Sequence, residues 1–390
     1  MSTLAGRRAA ALPGRMLGRR FLPEAACAVV LAALAVVAAW PASQDPVRWT
    51  PDGLFYQARI LELRGADHDD AYSEVFTGPL SERARTIDPE RTGDPAWVAY
   101  NEQFYERRLA LPLAAAAIYP AAGERSLLYV SLAGYVAAVL AVFLLLLLRF
   151  RLAIAAAALA TLYLPALTHH SSYPLTDSWG LALQTAALGF AVLALDRGRR
   201  WIAPFALAVL VLSFTRDSTW IPVLAAVWCA YRFRTRTAVA LAASGFAAAL
   251  PAVLAFSVPM RELVAFNVVG HDPAPDATWG FIAEHYPGAL VDHVRGNLGF
   301  VRRGEWYTGA YFAGGLIALF ALTRRSREAL PTLLKAAAVV ALLYVVSIPA
   351  FSAFRVELVL VPMAAYGLAF ALERLVALRG GLRPARAPSR

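Results

Sequence analysis

Asp52 opens the helix-like stretch in Trp49-Thr50-Pro51-Asp52-Gly53-Leu54-Phe55-Tyr56-Gln57-Ala58-Arg59. Thr50 supplies the side-chain oxygen of an N-cap and Pro51 the fixed φ of a first helical residue, so Asp52 is expected in the first turn. There the unsatisfied backbone N–H groups and the helix dipole favour a charged carboxylate, and Asp52 is expected to be ionised. Tyr56 and Arg59 follow at i+4 and i+7 on the same face, which puts an acid, a phenol and a guanidinium side by side. The same position also suits an acid that does no more than support the helix start. Arg216, in Thr215-Arg216-Asp217-Ser218, lies at a turn between two apolar runs. A guanidinium at membrane depth is costly unless it meets an anion, either a lipid-linked phosphate or a protein carboxylate such as Asp177. Arg355 poses the same choice in Ser352-Ala353-Phe354-Arg355-Val356-Glu357, with Glu357 as the nearby carboxylate. Arg107 and Arg108 precede another apolar run, where arginines also snorkel to headgroups.

These residues sit in a chain built for lipid. Of its 390 residues, 59% are hydrophobic and 16% charged, with a mean hydropathy of +0.53, values of a polytopic membrane protein rather than a soluble enzyme. The net charge of +10 would suit nucleic acid, but the arginines stand in short clusters beside apolar segments: Arg7 to Arg20, Arg149 and Arg151, Arg197 to Arg200, Arg232 to Arg236, Arg324 to Arg327, and Arg374 to Arg390. That is the positive-inside pattern of a lipid-bilayer protein, and no nucleic-acid partner is implied. Cys27 and Cys229 both lie in apolar segments and read as packing residues, not a disulfide.

The elements that must position the chemistry follow from the same clusters. A basic stretch, 1–20, precedes Phe21–Trp40, which is long enough to cross a bilayer core of about 30 Å. A cleaved signal peptide is the alternative, given Ala38, Ala39 and Ala42. From Pro41 to Arg108 the chain carries 13 acidic and 8 basic residues and is assigned to the outside. A second helix start at Asp94-Pro95 leads into an aromatic stripe, Trp97, Tyr100, Phe104 and Tyr105, suited to the membrane interface. If the apolar run Leu109–Ala122 spanned the bilayer, Arg149 and Arg151 would end up outside, so it is read as interfacial or re-entrant. Spans are then expected at Ser126–Leu148, Leu152–Thr168, Pro174–Leu195, two short helices sharing Trp201–Tyr231, Ala238–Ser257, Trp306–Leu322, Pro331–Pro349 and Val356–Leu375. The expectation is an all-α polytopic membrane protein with about ten spans, a single transmembrane domain over 21–375. Outer loops fall at about 41–125 and 258–305, the first with interfacial helices, and a basic cytoplasmic tail covers 376–390. Both termini face the cytoplasm, and the paired short helices lower the Arg216 turn below the outer surface.

All six histidines, His68, His169, His170, His271, His285 and His293, fall on the outer side of this arrangement. His169, His170, His271 and His285, with Tyr56 and Asp177, are candidates for touching a substrate there. The adjacent pair His169-His170 lacks the Cys or His spacing of a metal site, so no metal is expected. No Walker loop, dinucleotide fingerprint or nucleophile elbow stands in a usable context, and no cofactor is expected.

The stretches Asp52-Gly53-Leu54-Phe55-Tyr56, Arg108-Leu109-Ala110-Leu111-Pro112-Leu113, Thr215-Arg216-Asp217-Ser218 with Pro222, and Arg355 with Pro362 together resemble the GT-C superfamily of integral-membrane glycosyltransferases. The layout covers nearly the whole chain and is most similar to bacterial polyprenyl-phosphate-sugar-dependent enzymes of the mannosyl- and arabinosyltransferase type. The resemblance implies an enzyme of the bacterial cytoplasmic membrane, its active site facing outside. Such an enzyme moves a sugar from a polyprenyl-phosphate donor to a hydroxyl of a glycan, glycolipid or protein acceptor, with inversion. It further implies Asp52 as general base, with Arg216, Arg355 and Arg108 on the donor phosphate. The first-loop acid is a single Asp before Gly53 rather than an Asp-Asp or Asp-Glu pair, which points to a metal-independent version. A lipid or glycan transporter or flippase is the alternative. Against it, the polar groups gather at the outer surface rather than the bilayer midplane, and no inverted repeat is visible.

Overall fold

Backbone polar groups in lipid must be satisfied within their own segment, so long apolar runs fold as helices. In a computed structural model of the chain, which describes residues 17–44, 47, 49–80, 93–159, 165–256, 258–269, 272–274, 276–349 and 354–379, there are no strands among the described residues. The basic stretch up to residue 16 and the tail from residue 380 lie outside them. Among the described residues six helical stretches are long and apolar enough to cross a membrane: Leu22–Pro41, Ala110–Leu147, Asp177–Arg197, Arg236–Ala255, Ala329–Ser347 and Val356–Arg379. This is the architecture of a helical polytopic membrane protein.

In chain order the helices are α1 (Leu17–Gln44), α2 (Pro51–Leu63), α3 (His68–Thr77), α4 (Pro95–Glu102), α5 (Ala110–Ala122), α6 (Ser126–Leu147), α7 (Leu152–Leu159), α8 (Pro165–Ser171), α9 (Asp177–Arg197), α10 (Ile202–Ser213), α11 (Trp220–Phe233), α12 (Arg236–Ala255), α13 (Met260–Val268), α14 (Trp279–Phe300), α15 (Trp306–Leu322), α16 (Ala329–Ser347) and α17 (Val361–Arg379). The expected pair of short helices is present as α10 and α11, with 12 and 14 residues. They are joined by Thr215, Arg216 and a 3₁₀ turn, Asp217–Thr219. The run Leu109–Ala122 forms a helix of its own, α5, ended at Gly123, whose φ of 55° is open to glycine at little cost. Ala110 N–H donates to Phe214 O at 3.0 Å, and Ser131 Oγ near the start of α6 donates to Leu175 O at 2.6 Å. The starts of α5 and α6 therefore sit at the same end of the bundle, beside the α9 and α11 starts.

Two of the four rings of the aromatic stripe expected at the membrane interface are internal, while Tyr100 and Tyr105 are half-buried. Trp97 and Phe104 are buried, with Trp97 5.9 Å from Phe55 and Phe104 stacked on Phe266 at 4.1 Å between ring centroids. The helices α2, α3 and α4 form a cap with its own core around Trp49, Phe55, Phe76 and Trp97. Those protein partners cover the rings that the sequence pattern alone would leave to lipid headgroups.

In the bundle itself, large apolar side chains such as Val37, Leu254, Leu343 and Leu378 point outward, and small residues make the tightest helix crossings. At the meeting of α15 and α17, a methyl group on Gly367 would overlap the Gly315 carbonyl, and one on Gly315 would lie 2.5 Å from Ala364 O. Gly367→Ala is therefore expected to cost about 1–3 kcal/mol by overpacking, read as a lower Tm of the detergent-purified chain. An unchanged Tm would mean that α15 and α17 can part without penalty.

Candidate functional site

Local chemistry sets the position of Asp52. Thr50 Oγ1 accepts from Gly53 N–H at 3.2 Å and Pro51 is the first helical residue, so α2 begins as its sequence dictates and Asp52 lies in the first turn. Gly53 lets this helix start lie against the chain leading into α9, since a methyl there would sit 3.0 Å from Pro174 Cγ. Asp177 is the first residue of α9. Gly180, one turn on, leaves room for the stem of Arg216, whose Cδ would be 3.2 Å from a methyl at that position. Arg216 comes from the α10–α11 connection, Arg107 and Arg108 from the turn after α4, and Arg355 from just before the 3₁₀ turn Val356–Leu360. Five separated parts of the chain thus deliver charge to one place.

Arg355 is the bridge between them. Its Nη2 donates to Asp52 Oδ2 at 2.6 Å, and its Nε donates to both Asp177 oxygens at 3.1 and 3.0 Å. Arg216 Nη1 reaches Asp177 Oδ1 at 2.7 Å. Tyr105 OH donates to Asp52 Oδ1 at 2.9 Å. Arg108 donates through Nη1 to Tyr56 OH at 3.1 Å and through Nη2 to Asp217 Oδ2 at 3.0 Å, and Arg107 pairs with the other Asp217 oxygen. Tyr56 OH in turn lies 3.4 Å from Thr176 Oγ1. Four arginines face three aspartates, so the cluster carries an excess of positive charge.

The cluster opens on a cavity of about 310 Å³. Its lining combines the charged and polar Asp52, Arg108, Arg216, Asp217, Arg355, His169 and His170 with the apolar or aromatic Phe104, Leu263, Phe266, Tyr344 and Ile348. An anion joined to an apolar group matches such a mixed lining. Among the described residues no three His, Cys, Asp or Glu side chains are grouped so as to hold a metal ion.

The structure therefore brings together Asp52, Tyr56, Arg108, His169, His170, Asp177, Arg216 and Arg355, with Tyr56 behind the cavity as a support for Arg108. It does not bring in His285, whose exposed ring stacks on Phe281 at 4.1 Å and whose Nδ1 lies 2.9 Å from Phe281 O. His285 lies within α14, and helical geometry turns its ring onto the preceding turn of its own helix. His271 lies outside the described residues. Arg59, expected to share a face with Asp52, turns instead to Glu62 at 2.6 Å. Glu357 does not pair with Arg355; it is held by His293 at 2.8 Å, because two residues along a 3₁₀ turn the side chains point apart. Tyr105, Thr176 and Asp217 escaped the sequence reading as site residues, although Asp217 adjoins Arg216 and Tyr105 belongs to the aromatic stripe.

Burial pushes the Asp52 carboxyl up, but the charges of Arg355 and Arg108 and the hydrogen bonds from Arg355 and Tyr105 outweigh it and hold Asp52 well below the usual carboxylate range. A carboxyl lowered in the folded state stabilises the fold fully above its unfolded value, near 4, and loses that contribution as the pH falls through its folded value. The Tm gap between the parent chain and Asp52→Asn is thus expected to be widest near neutral pH and to narrow progressively below about pH 4. A gap that stays constant down to the acid limit would show that Asp52 is not held charged by its neighbours.

No family model matches the chain, and no curated protein matches it, so its activity is read from the charged cluster and the cavity beside it.

Proposed function

We propose that the chain is a membrane glycosyltransferase that moves a sugar from a polyprenyl-phosphate donor to a hydroxyl of a glycan, glycolipid or protein acceptor, with inversion. The observation that carries this reading is Arg355 lying between Asp52 and Asp177, with Arg216 and Arg108 around the same half-apolar cavity. Arginine binds phosphate in a planar, two-pronged fashion, and a cluster with excess positive charge beside apolar side chains suits a phosphate that carries a lipid chain.

In the proposed reaction the donor phosphate competes with the aspartates for the guanidinium groups. As Arg355 turns to the phosphate, Asp52 loses the cation closest to it and becomes more basic. The acceptor hydroxyl oxygen attacks the anomeric carbon, its proton passes to Asp52, and the bond from that carbon to the phosphate oxygen breaks. The bonding electrons leave with the polyprenyl phosphate, whose added negative charge Arg216 and Arg355 stabilise. We place this site at the outer face of a bacterial cytoplasmic membrane, with about ten spans and both termini in the cytoplasm, on the strength of the arginine clusters.

Arg216→Ala is expected to weaken binding of a polyprenyl phosphate about tenfold or more, and Arg216→Lys to recover part, because lysine lacks the planar fork. Undiminished binding in Arg216→Ala would reduce that arginine to a partner of Asp177. Asp52→Asn is expected to keep donor binding while single-turnover sugar transfer slows by about 10² or more. A rate within about threefold of the parent would remove Asp52 from the chemistry. Flipping of labelled lipid across vesicles without sugar transfer would identify a transporter instead.

Orientation is tested separately. Ser73, Thr235 and Asp276 are exposed; cysteines placed at 73 and 276 are expected to react with an impermeant maleimide on intact cells, and one at 235 is not. Labelling at 235 from outside would invert or abolish the arrangement.

A further inference from the structure

A second buried cluster, which the proposed reaction does not touch, holds the Phe354 backbone N–H and the Glu357 carboxylate, on either side of Arg355. His293 and Asn297 stand one turn apart on the same face of α14 and both are buried. Asn297 Nδ2 donates to Glu357 Oε1 at 2.6 Å, and His293 Nε2 lies 2.8 Å from the same oxygen and 3.2 Å from Asn297 Nδ2. Asn297 Oδ1 accepts from Phe354 N–H at 3.2 Å. The residue before Arg355 and the residue two after it are thus both tied to Asn297, and the second is tied to His293 as well.

Phe354 is also in the left-handed region, with a φ of 64°, a conformation that a bulky residue keeps only where its surroundings hold it. Its ring is fixed between Phe300 at 5.9 Å and Phe312 at 6.1 Å. Arg355 itself points the other way, to Asp52 and Asp177. Among the described residues Glu357 Oε2 has no hydrogen-bond partner, and the contacts of this carboxylate are those of Oε1 with His293 and Asn297.

We propose that His293, Asn297 and Glu357 form a latch between α14 and the Val356–Leu360 turn that positions Arg355 for the anion in the cavity. The residues of the latch are positioning residues, acting through Arg355. The proposal rests on Arg355 being a phosphate ligand, and the two arms of the test separate that premise from the latch.

The full-length chain in detergent is compared as parent, His293→Ala, His293→Gln, Arg355→Ala and the His293→Ala/Arg355→Ala double variant. The first arm is amide hydrogen exchange over residues 354–360. The second is affinity for a polyprenyl phosphate. His293→Ala is expected to speed exchange in this segment about tenfold and to weaken binding by a similar factor, whereas His293→Gln, which keeps a donor near the ring nitrogen, restores most of both. On the Arg355→Ala background, His293→Ala is expected to add no further loss of binding. Unchanged exchange in His293→Ala overturns the latch. Faster exchange with losses that multiply in the double variant overturns its action through Arg355. If His293→Ala does not fold, Glu357→Gln carries the same two measurements with the side-chain shape kept. A parent chain that binds no polyprenyl phosphate overturns the phosphate premise, and the exchange arm then decides the latch by itself.

Discussion

The contact on which the site depends is the Arg355 guanidinium shared by Asp52 and Asp177, which joins residues 303 and 178 positions apart in the chain. Charges drawn out of water are tolerable only when paired, and removing one member of a buried pair leaves the other uncompensated. Each element that supplies a charge here is consequently tied to the others. The start of α2 meets the start of α9 through Arg355, α9 meets the α10–α11 turn through Arg216, and that turn meets the segment after α4 through Asp217. The ion pairs tie together helix ends that are far apart in the chain.

That arrangement makes demands on the fold well away from the charges. The connection between the short helices α10 and α11 holds Arg216 beside the start of α9. Missing side chains at Gly53 and Gly180 let the backbone of α2 and the stem of Arg216 come close. Above them, Phe55 stacks on Tyr105 at 4.6 Å with the rings 6° apart, so the aromatic core of the cap fixes the residue whose hydroxyl holds Asp52. Packing and polar contact thus converge on the same oxygen atoms.

What the sequence made legible was local. Thr50, Pro51 and Asp52 encode a helix start because capping involves neighbours within a few positions, and the short α10 and α11 followed from arginines bracketing one apolar run. Arg108, Arg216 and Arg355 stood out because guanidinium groups beside apolar segments need an anion. Of their partners only Asp177, named as a carboxylate that Arg216 could meet, was legible, and the two pair at 2.7 Å. Nothing near Arg355 in the sequence marks Asp52 or Asp177, whereas Glu357 is two residues away and points elsewhere. The stripe from Trp97 to Tyr105 has the composition of an interfacial belt, and only the presence of Phe55 and Phe266 from distant segments turns part of it inward. His285 shares its residue type with His169 and His170, but its place in α14 directs its ring to its own helix.

The two aspartates that share Arg355 are not equivalent, and the difference bears on which of them can act as a base. Asp177 has Arg216 as well as Arg355, so a phosphate that takes Arg355 leaves it paired. Asp52 then keeps the Tyr105 hydroxyl and the charge of Arg108 but loses its hydrogen-bonded cation. The same displacement therefore raises the basicity of Asp52 more than that of Asp177. A carboxylate locked to a guanidinium is a weak proton acceptor, which in the proposed reaction keeps Asp52 unreactive toward water until a donor is in place. In the proposed reaction, binding of the donor phosphate and activation of the base are one event, since both draw on the single guanidinium of Arg355.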